Sequence, residues 1–328
     1  MGRVERRQFL ISASSLLAAP LASVAQQRGK VVRVGFVAAS TVYGNESIAA
    51  FRDELSKLGW IEGQNVIIEP RNAMGDTRQF APLIAELLQL KVDVIVTTST
   101  PAALAAKSAT SEIPVVFSMV SDPVASGIVG SLSRPGGNLT GWSNMLAETS
   151  SKLIELLGEV IPKAARFAAL FDPSNAGKLL DIKVLQADSR RAGLTLRLLE
   201  VRDLADIKAA FAAMTRERPD GLIVLQDAVT GSNRKEIVES ATSARLPAVY
   251  QVSDFVDLGG LMSYGVNMTR QFRRSAVYVD KILRGAKPGD LPVEQPTAFE
   301  LVVNLKAART LGVVIPQSIL LRADRVVE

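Results

Sequence analysis

Apolar residues recur along this chain in two rhythms: short continuous runs and longer stripes at helical spacing. Val31–Ala38 is a continuous run and fits a strand buried on both faces. Glu46–Leu58 follows with Ile48, Phe51, Leu55 and Leu58 on one helical face, and Gly59 stands where a helix C-terminus favours positive φ. The pairing repeats. Val66–Ile68 and Val92–Val96 read as strands. Arg78–Leu90 reads as a helix with the stripe Phe80, Leu83, Ile84, Leu87 and Leu88. A helix over Pro101–Ala109 and a strand over Val115–Met119 close the first series.

Arg134–Gly141 (Arg-Pro-Gly-Gly-Asn-Leu-Thr-Gly) breaks the rhythm and is the expected boundary between two lobes. It has neither the Lys-Ser/Thr of a P-loop nor GxGxxG spacing, so it reads as a turn into a connecting strand. The alternation then restarts. Helices are predicted at Ser150–Ile161, Ala176–Ala192, Leu204–Glu217 and Asn233–Ala244. Strands are predicted at Ala165–Phe171, Leu194–Val201, Gly221–Gln226 and Pro247–Gln251. Each half is thus a small doubly wound α/β unit.

From Gly259 the order changes: a strand at Leu261–Gly265, an amphipathic helix at Gln271–Leu283, a strand at Phe299–Val303 and a short helix at Leu305–Leu311. A tail of this size predicts that the chain returns to the first lobe and crosses again. The expected lobes are 31–142 with about 266–296, and 143–265 with about 297–328, joined by crossing strands.

Composition narrows the chemistry. The chain holds no cysteine and no histidine. Zinc and iron–sulfur sites lose their usual ligands, and Cys nucleophiles and Ser-His-Asp triads are excluded. Carboxylate, Lys or Tyr chemistry stays open. The net charge of +5 is interspersed, without a basic run, which argues against nucleic-acid binding. Residues 1–25 read as an export signal. Arg3, Arg6 and Arg7 precede an apolar stretch from Phe9 to Ala22, and Ser23-Val24-Ala25 puts cleavage before Gln26. Arg6-Arg7-Gln8-Phe9-Leu10 resembles the twin-arginine motif, with Glu5 and Ile11 departing from it, so Sec export also stays open. With no cysteine, a lipoprotein anchor is ruled out, and a free periplasmic protein is expected.

Ligands of open parallel sheets bind beyond the carboxyl ends of strands. Those positions carry Ser40, Thr41 and Tyr43, then Thr97, Thr98, Ser99 and Thr100, then Ser121 and Asp122. In the second half they carry Asp172, Ser174 and Asn175, then Asp227 and Thr230, then Ser253 and Asp254. Hydroxyls, amides and a few carboxylates suit a small polar solute better than acid–base catalysis. Thr98-Ser99-Thr100-Pro101 is the sharpest feature, a helix start whose hydroxyls either take a ligand carboxylate or simply cap the helix. Asp227 could receive an ammonium or simply cap a helix.

Ordered motifs carry a family resemblance: Arg6-Arg7-Gln8-Phe9-Leu10, Val34-Gly35-Phe36, Leu58-Gly59-Trp60, Gly63-Gln64-Asn65-Val66, Thr98-Ser99-Thr100-Pro101-Ala102, Arg134–Gly141, and Leu311-Gly312 before Ile315-Pro316. The chain resembles ABC-transporter substrate-binding proteins often associated with tryptophan or tyrosine uptake. The resemblance implies a type I periplasmic-binding fold, two Rossmann-like lobes joined by crossing hinge strands. It implies a solute in the cleft, an inner-membrane ABC permease as partner, and no catalytic residues. It also implies that Ser99 and Thr100 with Ser118 hold a carboxylate and Asp227 an ammonium. The candidate ligand-binding set is Ser40, Thr41, Thr98, Ser99, Thr100, Ser118, Asp122, Asn175, Asp227 and Ser253. No metal, cofactor or nucleic acid is expected, and the protein is expected to act as a monomer. A ligand-sensing receptor, or an exported enzyme using converging carboxylates, stays open as an alternative.

Overall fold

The computed structural model describes residues 31–144 and 146–328, and among these the side chains outside 41–47 and 146–148. Residues 1–25, the expected export signal, lie outside the described residues.

The first series folds as β1 (Val32–Ala38), α1 (Thr41–Lys57), β2 (Val66–Asn72), α2 (Phe80–Gln89), β3 (Val94–Thr97), α3 (Thr100–Ala109), β4 (Val115–Val120) and β5 (Leu139–Ser143). Its strands form one parallel sheet in the order β2-β1-β3-β4-β5. Arg134–Gly141 is therefore the approach to an edge strand of this sheet and its first turn, and the chain leaves the sheet after Ser143. Period-2 alternation within the strands divides the core. Val34, Phe36, Val94 and Val96 pack with Phe51 and Leu55 of α1, whereas Val37 and Ile95 pack with Ile84 and Leu87 of α2 and Ala102, Ala103 and Ala106 of α3.

The second series is α4 (Leu146–Val160), β6 (Arg166–Phe171), α5 (Ala176–Arg191), β7 (Thr195–Glu200), α6 (Leu204–Glu217), β8 (Gly221–Val224), α7 (Ala228–Ser232), α8 (Arg234–Ser243), β9 (Ala248–Tyr250), α9 (Asp254–Asp257) and β10 (Met262–Gly265). Then come α10 (Met268–Leu283), β11 (Glu300–Asn304), α11 (Leu305–Leu311), α12 (Gln317–Leu320) and β12 (Arg325–Val327). The second sheet runs β12-β11-β10-β9-β8-β6-β7, parallel except where β10 meets β11. The helix α10 packs on α1 and on β3, β4 and β5 of the first sheet. The chain thus passes between the sheets three times: after β5, between β10 and α10, and before β11.

Two glycines show how tightly the crossings are built. A Cβ on Gly141 in β5 would stand 1.9 Å from the Phe117 carbonyl oxygen, at φ +148°. A Cβ on Gly265, the last residue of β10, would stand 1.8 Å from the Gln251 carbonyl oxygen. No other residue fits at either place without moving backbone. Among the described residues no helix is long and apolar enough to cross a membrane.

Candidate functional site

The carboxyl ends of both sheets face one another. A narrow pocket of about 10 Å³ lies between them, lined by Ala39, Thr98, Ser99, Met119 and Asn144 from one side and by Asn175, Lys178, Gln226, Asp227 and Ala228 from the other. A wider neighbouring groove of about 570 Å³ includes Gly75–Arg78, Asp172, Ser174 and Arg202–Leu204. The two rims touch. Thr77 Oγ1 and Ser174 Oγ are hydrogen-bonded at 3.2 Å. A Cβ on Gly177 would stand 2.8 Å from Thr100 Oγ1 and 2.9 Å from Ser121 Oγ. The cleft is closed.

The first rim is built of hydroxyls. Ser99 is the N-cap of α3, accepting from the Ala102 N–H at 3.2 Å, and Pro101 occupies the first turn. The helix thus starts at Thr100, one residue ahead of the expected Pro101. Thr98 Oγ1 accepts from the Ala39 N–H at 2.8 Å, and Thr100 Oγ1 accepts from the Ser121 N–H at 3.4 Å. All three oxygens act as acceptors, so their protons stay available to donate. Ser40 Oγ, Thr97 Oγ1 and Ser118 Oγ are buried without any partner. Beside Ser118, Met119 has φ +58°, at a register shift between β4 and β5. This bulge re-aims the strand end and is strained for a residue with a side chain.

The second rim carries charge. Asp227 caps α7 in a reciprocal box: its Oδ1 accepts from the Thr230 N–H at 2.8 Å, and the Asp227 N–H donates to Thr230 Oγ1 at 3.1 Å. Asp227 Oδ2 accepts from the Asp172 N–H at 2.9 Å. Burial, with the nearby Asp172 charge adding to it, raises the Asp227 carboxyl from 3.8 to about 6. Asn175 caps α5 by accepting from the Gly177 N–H at 3.1 Å. Lys178, fully buried, pairs with Asp181 at 2.7 Å and reaches Gln251 Oε1 at 3.4 Å. Burial pushes the Asp181 carboxyl up, against the pull of Lys178.

Of the residues expected from sequence, the fold brings Thr98, Ser99, Asn175 and Asp227 to one pocket. Ser40, Thr100 and Ser118 are buried immediately beside lining residues. The side chains of Thr41 and Tyr43 lie outside the described residues. Asp122 is occupied by a turn, accepting from Val124 and Ala125 N–H groups, and Ser253 precedes α9 without a side-chain cap; neither lines the pocket. Sequence reasoning missed Met119, Asn144, Lys178 and Gln226. The strand-end argument could have found Gln226, which adjoins Asp227. Among the described residues no acidic cluster could hold a metal ion.

Two doubly wound sheets closing on a polar pocket, joined by three crossings, define a two-lobed solute-binding protein. The chain belongs to the family described as ABC transporter substrate binding protein, whose model matches residues 42–327. The "Tyrosine-binding protein" of Clostridioides difficile (strain R20291) is 25% identical over 261 residues, 80% of this chain and 75% of that one. An ABC domain from Streptococcus pneumonia, solved in complex with L-Trp, is 28% identical with a TM-score of 0.83, covering 90% of this chain and 99% of its own. A conserved domain protein from Vibrio cholerae is also 28% identical, with a TM-score of 0.84, covering 90% and 100%. The 5-methylthioribose transporter solute binding protein of Thermotoga lettingae, at 15% identity and a TM-score of 0.62 over 90% and 97%, shares the fold. The fold is the type I periplasmic-binding fold, and the protein is a solute-binding component of ABC import.

Proposed function

We propose that the chain is exported and acts as a monomeric periplasmic receptor. It captures an amino acid between its lobes for the permease and catalyses no reaction. The observation that carries this reading is the opposition of the two rims: hydroxyls with unspent protons at Thr98 and Ser99 line the same pocket as the buried carboxylate of Asp227. A carboxylate fits the first and an ammonium the second. Asn144 Oδ1 and Gln226 Oε1, buried without partners, add acceptors beside the ammonium. The head group lies between the two rims when the lobes part to admit it, and the side chain points to the neighbouring groove. Two relatives support an aromatic side chain, one named for tyrosine and one solved with L-Trp.

The moving bodies in this reading are 31–142 with about 266–296, and 143–265 with about 297–328. The packing of α10 on the first sheet and the place of β11 and β12 in the second support those bounds. Calorimetric titration with L-tyrosine, L-tryptophan and their decarboxylated and deaminated analogues tests the reading. Saturable binding that needs both charged groups is expected, together with a smaller scattering radius. Equal binding of the analogues would refute the zwitterion. In Gly177→Val the added side chain strikes Thr100 and Ser121 of the opposite rim when the lobes shut, beyond a tight 3.2 Å contact with its own cap residue Asn175, so affinity should fall about tenfold or more by the overpacking penalty.

A further inference from the structure

We propose that residues 73–79 form a lid on the cleft, latched by the Thr77 hydroxyl to Ser174 and, through Asp172, to the carboxylate of Asp227. The coupling to Asp227 rests on the amino-acid reading, whereas the lid rests only on the two-lobed cleft. The segment joins β2 to α2, and residues 74–78 line the groove beside the inner pocket. Its shape is set from within the first lobe. Met74 and Gly75 both take positive φ, +55° and +87°. The Met74 N–H donates to Asn72 Oδ1 at 2.8 Å, the Gly75 N–H to the Ala39 carbonyl at 2.9 Å, and the Arg78 N–H to Asp76 Oδ1 at 3.0 Å. A residue with a side chain keeps a positive φ only where its surroundings over-determine it.

The lid lands on the second lobe at two points. At its tip a Cβ on Gly75 would stand 2.9 Å from Ser232 Oγ and 3.3 Å from the Ala228 carbonyl oxygen, so bare backbone lies against α7. Two residues on, Thr77 Oγ1 lies 3.2 Å from Ser174 Oγ. Ser174 spends its one hydroxyl proton on Asp172 Oδ1 at 2.7 Å, so Thr77 donates and Ser174 accepts. Asp172 Oδ1 also accepts from the Ser174 N–H at 2.9 Å, and the Asp172 N–H donates to Asp227 Oδ2 at 2.9 Å.

Both footholds therefore belong to elements that fix Asp227: the helix that it caps, and the turn whose N–H it accepts. A shut lid steadies the groups that orient Asp227. By linkage, a solute held on Asp227 steadies the landing site of the lid. The latch itself is one hydrogen bond at the cleft mouth, so it governs how long a solute stays more than how fast it enters.

The chain has no cysteine, so Thr77→Cys with Ser174→Cys gives a protein with just two thiols. Hydroxyl oxygens 3.2 Å apart put those thiols within reach of a disulfide. Oxidation without solute should cross-link the chain internally and block exchange of L-tyrosine until reductant is added. Separately, Thr77→Val and Ser174→Ala should each speed stopped-flow release of L-tyrosine about fivefold, the loss of one ordinary hydrogen bond, with association unchanged. The double variant should release no faster than either single one, since both remove the same bond, and Thr77→Ser should restore the parent rate. A merely structural role would lower stability in urea and leave release alone. A folded protein that forms no cross-link overturns the lid, as does a cross-linked one that exchanges solute freely. Release rates that add, or that match the parent, overturn the latch. If L-tyrosine does not bind the parent, the amino-acid reading fails, and the cross-link, which needs no solute, decides the lid.

Discussion

The two rims of the cleft are made of different chemistry. The rim on the first sheet is neutral, and its hydroxyls Ser40, Thr97 and Ser118 are buried with bonds unmade. The rim on the second sheet is charged, and its ionic groups are already committed: Asp227 to two backbone N–H groups, Lys178 to Asp181. A committed charge is held in place before the ligand arrives and needs little reorganisation. An uncommitted hydroxyl can rotate its proton to suit the ligand. The difference teaches a division of labour, with orientation fixed by the second lobe and adaptability supplied by the first.

The comparison breaks most readily at the buried ion pair. Replacing Lys178 by Met strands Asp181, and should destabilise the protein by about 3–5 kcal/mol in urea unfolding, the usual cost of orphaning a buried charge. Adding Asp181→Leu should restore most of it. A single variant as stable as the parent would show that this rim is not braced by the pair.

Asp227 gives the next largest effect, through pH. Its folded carboxyl sits at about 6 against an ordinary value of 3.8, so the folded state holds its proton more tightly than the unfolded chain. The contribution is full below the unfolded value and is lost as pH rises through about 6, amounting to ~3 kcal/mol for a shift of about two pK units. Asp227→Asn should flatten that part of the stability profile between pH 4 and about 6.5. An unchanged slope would assign the titration elsewhere. A bound ammonium favours the ionised form and should draw the value down.

The smallest effect belongs to the first rim. Ser118→Ala removes a hydroxyl that bonds to no protein group, so stability should change by less than about 0.5 kcal/mol. Ligand affinity should fall by about 0.5–1.5 kcal/mol, one ordinary hydrogen bond. A loss of stability equal to the loss of affinity would mean that Ser118 is structural.

Much of this was legible along the chain. The helices at Leu204–Glu217 and Leu305–Leu311 fall where the apolar stripes put them, because each stripe faces a sheet. Short elements were missed. The helices α9 and α12 have four residues and β12 has three, too few for a period to show. The strand-end argument reached Thr98, Ser99, Asn175 and Asp227 because it depends on topology alone. It could not reach Lys178, whose position two residues into α5 looks like any surface lysine until the closed rims bury it. Met119 needed the bulge, and Asn144 needed β5 to be seen as part of the first sheet.

By itself the sequence determined the alternating α/β order, the absence of thiol and imidazole chemistry, and the hydroxyl-rich strand ends, since periodicity and residue type are local properties. Only the tertiary structure decided which strand ends meet, that Lys178 and Asp181 pair out of water, and that Trp142 Nε1 and the Gln271 amide are buried without partners. Those outcomes depend on contacts between residues far apart in the chain, where burial changes the free energy of every polar group it encloses.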